Sequence, residues 1–440
     1  MNFLIRTLFL LALPTLALAA GGAVPALPAV VHKPAVDVRP APDPAAAPLA
    51  RLARDARVDV TGQEGLWYRL RLDDDRTGYV RVNEVRLVQR DAPASDARRN
   101  ALFSGGAGKG RVTETATVRG LDAGDFAGGR HDAAALARME AWRVDVDTAA
   151  AHARAQGWQA RVVPWPGEAS ELDTSGHQAT QSEKRSRLAS ARGVLSSLAG
   201  GLPGGSRVGR IADRAIGKSD REIAAEEQAL GPAVAGSVLG VAPLWSDESA
   251  QRRVNLLGRW LASQTSRPDL DWAFGIIDDG EINAYAAPGG YVLLTRGLYE
   301  LLHDDAELAA VIAHELGHVV QRDHFEVIRR QQTREATREA VMSEVRATGA
   351  AAQALAYASR HGASVLLTSL DREAEYRADV AAGVYLERAG FDPLAFYSVL
   401  QKLAALGTRQ PQLDQLHRTH PPVEARLDRL DGQAAGGRRR

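Results

Sequence analysis

Apolar side chains recur three and four positions apart at Leu308, Val311, Ile312, Leu316 and Val319, a spacing that predicts a helix with a buried face. Asp304, with Glu307 three residues later, supplies an N-cap and a capping box for it. Residues 370–388 predict a second helix, capped by Ser369 or Asp371 and stopped by Gly390. Residues 220–230 and 246–263 read as amphipathic helices. Residues 132–160 have helical composition with Leu136, Met139 and Trp142 on a core face, and 423–430 form a short terminal helix. Residues 272–278, 281–287 and 291–295 read as three short strands, the last two separated by Pro288-Gly289-Gly290. The apolar stretch 229–245 contains Gly231, Pro232, Gly236, Gly240 and Pro243, so it is a poor membrane span and is expected to pack on the core.

Nearer the N-terminus the period changes to two. Val58 and Val60 alternate with polar residues, as do Leu66, Tyr68 and Leu70, and Tyr79 to Val82 resume the pattern after a turn-forming Asp run and Gly78. This predicts a small β-barrel over residues 49–90. Leu66-Trp67-Tyr68-Arg69-Leu70 and Gly78-Tyr79-Val80 resemble bacterial SH3-like domains, which implies a cell-wall or protein ligand. Trp67 and Tyr79 either fill the barrel core or serve that ligand. Residues 21–48 are rich in Ala and Pro and read as an extended linker. Residues 91–218 read as a connector, partly helical and, around 164–217, partly disordered. Residues 433–440 read as a solvated tail ending in Arg438-Arg439-Arg440.

A length of 440 residues suggests two or three domains. Lys plus Arg and Asp plus Glu are equal at 54 each, so no net field favours nucleic acid. Residues 1–20 have the layout of a cleavable secretory signal: Arg6, an apolar run from Leu8 to Leu18, and small residues at Ala17 and Ala19. The expectation is a periplasmic or otherwise extracytoplasmic protein with no integral membrane segment after cleavage. There is no cysteine, so any metal must be held by histidine and carboxylate.

His314-Glu315-Leu316-Gly317-His318 is an H-E-x-x-H run, of which about 0.01 copies are expected by chance in a chain of this composition. Two histidines four apart on a helix share a face and can address one Zn²⁺. Glu315 then sits where a general base for a metal-activated water is needed. Gly317 would let a second segment approach closely. On the second helix, Glu375 and Asp379 are four apart, with Ala378 and Ala382 small enough for tight packing. Glu375 suits a third ligand and Asp379 an acceptor behind a ligating histidine. Glu373 is the rival ligand, and Glu375 is favoured because an acid lies one turn beyond it.

H-E-x-x-H followed by E-x-x-A-D resembles the M48 family of zinc metallopeptidases. Asn283-Ala284-Tyr285-Ala286-Ala287-Pro288-Gly289-Gly290-Tyr291-Val292 and Thr295-Arg296-Gly297-Leu298 are similar to it as well, across residues 219–432. The resemblance implies an α+β, mainly helical zincin-type (gluzincin) domain with a small sheet and the metal between two helices. It implies one Zn²⁺ on His314, His318 and Glu375, with Glu315 as base. His420, before Pro421-Pro422, is similar to a His-Pro segment of the family, which implies a place near the metal or the oxyanion; the alternative is a helix-entry turn, since Pro is favoured at the first helical positions. His303, His324 and His361 are taken as structural or exposed. The strands around residues 283–294 are expected to offer an edge to which a peptide substrate adds as a strand. The reading is a zinc endopeptidase acting on exported or envelope proteins. The alternatives are a chaperone-like or wall-binding clamp built on the same fold, and a hydrolase of cell-wall peptides.

Overall fold

A computed structural model of the chain describes residues 26–72, 76–88, 124, 130–168, 220–339, 361, 364–367, 369–407 and 411–437. The signal expected over 1–20, Arg438 to Arg440 and most of 91–130 and 164–217 lie outside these residues, whereas 433–437, expected as tail, continue the last helix.

The N-terminal part is a barrel of seven strands: β1 (Leu27–Val31), β2 (Ala35–Val38), β3 (Ala50–Ala53), β4 (Arg57–Glu64), β5 (Trp67–Arg71), β6 (Thr77–Arg81) and β7 (Val85–Leu87). Five pair in the order β6-β5-β4-β1-β7, and β2 pairs with β3. Reciprocal hydrogen bonds between Arg39 and Tyr79 (2.9 and 2.8 Å) tie the two sheets together. β1 and β2 fall where an unstructured linker was expected. Proline weighs against regular structure, but Val31, Val36 and Val38 alternate with less buried residues and supply inward-facing side chains. Inside the barrel lie Tyr68 and Leu70, while Trp67 is buried beneath the Arg81 guanidinium, 5.3 Å from its ring. Tyr79 does not fill the core: it is half-buried and its hydroxyl donates to Glu64 Oε1 at 3.0 Å.

The expected helix over 132–160 is two helices, α1 (Ala133–Glu140) and α2 (Val146–Ala155), capped by Asp132 and Asp145. α3 (Asp220–Leu239) runs past the expected stop at residue 230, straight through Gly231 and Pro232. Burial outweighs propensity here, since Leu230, Val234 and Val238 are fully enclosed. α4 (Glu248–Ala262) follows. A three-stranded sheet of β8 (Ala273–Ile277), β9 (Ala284–Ala287) and β10 (Tyr291–Thr295) has the order β8-β10-β9, with β8 parallel and β9 antiparallel to β10. Then come α5 (Arg296–Leu301), α6 (Asp305–Val320), α7 (Asp323–Glu339), α8 (Arg372–Arg388), α9 (Leu394–Leu406), α10 (Asp414–Thr419) and α11 (Val423–Gly437).

The sheet separates two cores. Phe274, Ile276, Val292 and Leu294 face α4 and α6, whereas Ala273, Ile277, Tyr285 and Leu293 face α1, α3 and Phe325 of α7. Burial on both faces explains why these strands read as continuous apolar runs. β10 is paired on both sides, so of residues 283–294 it is β9 that lies at an edge of the sheet. The barrel is continuous with the first core: Tyr68, Val82 and Val85 belong to the same buried cluster as Ile312, Tyr385, Phe396 and Leu400.

Candidate metal centre

α6 and α8 cross at Gly317. A Cβ there would lie 3.0 Å from Ala381 Cβ and 3.1 Å from Ala378 Cα, so the helices meet at a distance only glycine permits comfortably. Asp371 caps α8 by accepting from Ala374 N at 2.7 Å. Gly390, with φ of 91°, ends it in a Schellman turn, Phe391 N donating to Leu386 O at 2.8 Å. Asp304 caps α6, its side chain accepting from Glu307 N at 3.0 Å. Glu307 reaches back to His303 N (2.7 Å), but its carboxylate is chiefly a buried hub, also taken by Ser398 Oγ (2.7 Å) and Lys402 Nζ (2.6 Å).

This crossing brings His314 and His318 of α6 to Glu375 of α8, and His420 joins them from the end of α10. Ligand-type atoms of these four residues lie within 4.8 Å of one another. The two histidine Nε2 atoms are 3.2 Å apart. Glu375 Oε2 is 3.8 Å from His314 Nε2 and 3.7 Å from His420 Nε2, and Oε1 is 3.7 Å from His318 Nε2. Donors around one tetrahedral ion at about 2.0–2.1 Å stand roughly 3.3 Å apart, so the spacing fits a shared metal. Glu375 Oε2 is fully buried and, among the described residues, accepts no hydrogen bond, which is costly unless a cation meets it. Glu373 points elsewhere, two-thirds exposed and paired with Arg429.

Each α6 imidazole is held from behind. His314 Nδ1 lies 3.1 Å from Asp379 Oδ1, and His318 Nδ1 lies 2.9 Å from Asp323 Oδ2. In a neutral imidazole whose proton sits on Nδ1 and is donated to such a carboxylate, the Nε2 lone pair is left to the inward side, where Glu375 and the other imidazole lie. Asp379, singled out in the sequence one turn beyond Glu375, lies against His314. Asp323 does not follow from the sequence: it starts α7 after Arg322 turns the chain in a left-handed conformation (φ 59°), and no periodicity announces such a turn. Arg426 of α11 was also not anticipated. Its guanidinium, almost fully buried, bonds both Asp379 oxygens at 2.6 and 3.1 Å and faces the Phe396 ring. Phe396 in turn stacks on His314, with centroids 5.5 Å apart.

The electrostatics favour an incoming cation. Burial opposes protonation of His318, but the Asp323 hydrogen bond and the charges of Glu375 and Glu315 push its pKa up to about 9. Burial and the Arg426 charge press His314 down to about 3, so it is a neutral donor. Burial raises Glu375 to about 7 and raises Glu315 as well. Glu315 is 4% exposed and lies within the charge fields of His318 and Arg426. His420 Nδ1 meets Thr419 Oγ1 at 2.8 Å, and its ring nitrogen Nε2 faces the cluster.

Of the remaining histidines, His324 is a neighbour of His318 (5.9 Å between centroids), and its buried Nδ1 has no partner among the described residues. His303 contributes its backbone N–H to Glu307, and the carbonyl of His361 accepts from Ser364 Oγ at 2.6 Å. Among the described residues none of the three joins the donor cluster.

A helix carrying H-E-x-x-H, crossed by a second helix with a facing glutamate beside a small sheet, defines an α+β zincin-type domain. Comparison with known proteins agrees: residues 248–434 match the model of peptidase family M48 and residues 34–85 match that of the bacterial SH3 domain, so an M48-like domain follows an SH3-like barrel. It is 32% identical over 213 residues to the beta-barrel assembly-enhancing protease of Escherichia coli (strain K12), covering 46% of this chain and 42% of that protein. It is 32% identical over 207 residues to the protein of the same name from Yersinia pestis, with the same coverage of 46% and 42%. Mitochondrial metalloendopeptidase OMA1 of Schizosaccharomyces pombe is 28% identical over 164 residues, 37% of this chain and 47% of that protein. The chain thus spans less than half the length of each of these relatives.

Proposed function

We propose that this chain is a zinc-dependent endopeptidase acting on exported or envelope proteins, with His314, His318 and Glu375 as the metal ligands. The observation that carries the reading is the convergence of these three buried donors beside Glu315. Two imidazoles and a carboxylate suit zinc, and three protein ligands leave a position for reacting groups. Zinc held there supplies the Lewis acidity that lets water act as a nucleophile near neutral pH. Glu315 takes the proton of the attacking water on its carboxylate and passes it to the departing amine nitrogen. Its buried position raises its proton affinity, which suits both halves of that transfer. Asp379 and Asp323 hold the imidazole tautomers. His420 faces the cluster either as a further donor or as a partner for the oxyanion.

β9 supplies the edge to which a substrate backbone adds, with little demand on its side chains. The export assignment rests on the N-terminal pattern; among the described residues no helix is long and apolar enough to cross a membrane. The clamp alternative leaves the buried Glu315 without a task.

The test is zinc content together with casein cleavage, for the wild-type protein and for Glu375→Gln. One zinc per chain and chelator-sensitive cleavage, both reduced in the variant, are expected. Zinc without cleavage of casein or of purified peptidoglycan would favour the clamp, and a folded protein without zinc would overturn the assignment.

A further inference from the structure

The barrel is fastened to the helices that build the metal centre, and its fastening points lead to that centre. On α11, Asp431 receives Lys33, His32 Nε2 (3.0 Å) and Arg86 (2.7 Å) from the barrel, together with the Tyr397 hydroxyl (3.1 Å) from α9. Arg86 also meets Asp428 at 3.1 Å. Five residues before Asp431 on the same helix is Arg426, which grips Asp379 behind His314. A second attachment reaches α6 itself: Gln63 of β4 donates at 3.1 Å to Oε1 of Glu307, on the first turn of the H-E-x-x-H helix, and at 2.9 Å to Ser398 Oγ of α9. At the third, the fully buried Gln401 of α9 serves the end of the barrel sheet, accepting from Leu87 N at 3.1 Å and donating to Val82 O at 3.2 Å.

From these contacts we infer that the barrel is a positioning module for the metal centre. The path runs from Lys33 and Arg86 to Asp431, along α11 to Arg426, and through Asp379 to His314 Nδ1. The inference rests on the metal-site reading given above. Domains joined by a linker normally move independently when their interface is small and wet. Here the contact is a continuous apolar cluster crossed by buried polar bonds, whose unpaired halves would be costly to expose. Undocking the barrel therefore frees α11, and with it the guanidinium that fixes Asp379. Lys33, Arg86 and Asp431 act through other residues and touch no reacting atom.

The test uses the full-length protein and the variants Lys33→Gln, Arg86→Gln and Gln401→Ala. Hydrogen exchange at β7 reports docking. Competition with a chromophoric chelator reports Zn²⁺ affinity, and the visible spectrum of the Co²⁺-substituted protein reports ligand geometry. Affinity should fall in step with β7 protection, by about tenfold in the loosest variant, the lower end of what losing an outer partner of a ligand costs. The Co²⁺ bands should shift with it, and Arg86→Lys should restore both. Lost protection with unchanged affinity and spectrum would overturn the inference, and so would full protection in all three variants. A wild-type protein that binds no zinc would overturn the metal-site reading first.

Discussion

At the scale of single residues, each imidazole of the α6 pair has its own carboxylate, Asp379 behind His314 and Asp323 behind His318. Replacing either by Asn keeps the shape and removes the charge. Asp379→Asn and Asp323→Asn should each weaken zinc binding about 10- to 100-fold, measured by chelator competition. Equal affinity in Asp323→Asn would show that His318 needs no such support. Glu315→Gln should retain zinc while casein cleavage falls by about 10²–10⁴-fold, the usual worth of a positioned base. Away from the metal, burial and the neighbouring charge of Asp279 lift Glu281 from its ordinary 4.5 to about 7. A carboxyl whose folded pKa is raised stabilises the fold fully below 4.5, and that contribution is lost as pH rises through about 7. Glu281→Gln removes the buried charge, so its Tm relative to wild type should be higher at pH 8 than at pH 5. A difference independent of pH would sink the argument.

At the scale of elements, the helices that carry chemistry were the most legible part of the chain. α6 and α8 announced themselves by periodicity, by Asp caps and by a Gly stop, because local signals and tertiary burial agree there. The pairing of His314 with His318 was legible from their spacing, while Glu375 was singled out over Glu373 by the acid one turn beyond it and by the M48 resemblance. What the sequence hid is long-range or breaks a local rule. α3 continues through Gly231 and Pro232 because its apolar residues are wanted in the core, and β1 and β2 form despite prolines nearby. Arg426 and Asp323 look like ordinary surface charges until the turn at Arg322 and the docking of α11 bring them inward. The crossing at Gly317 was anticipated in kind, and it allows a sharp prediction. Glycine inside a helix costs about 1 kcal/mol against alanine, so its presence is a packing requirement. Gly317→Val should push α8 away from α6, lowering zinc affinity more than Gly317→Ala does. A Val variant with wild-type zinc affinity would show that the separation of the helices is not what sets the site.

At the scale of the whole molecule, the barrel and the M48-like domain share one buried cluster, and near their junction α9 and α6 are joined by a buried ion pair, Lys402 with Glu307. Burial pushes the Glu307 carboxyl up, but the Lys402 charge and the surrounding hydrogen bonds bring it below its ordinary 4.5. Lys402→Met strands a buried carboxylate and should cost about 3–5 kcal/mol in unfolding free energy. The double variant Glu307→Gln/Lys402→Met should recover much of that loss, a cycle that urea titration can read. If the single variant is as stable as wild type, the pair is not the anchor its burial suggests.

The convergence of donors from α6 and α8 has a topological consequence. His318 and Glu375 are 57 positions apart, the difference of their sequence numbers, and the chain between them includes α7. A metal shared by them would close that span into a ring. A covalent bridge over a loop of this size removes about 4 kcal/mol of chain entropy from the unfolded state. In a chain without cysteine, the ion would serve as its staple as well as its reagent, so chelation should make the loop between the two helices an early target for proteolysis.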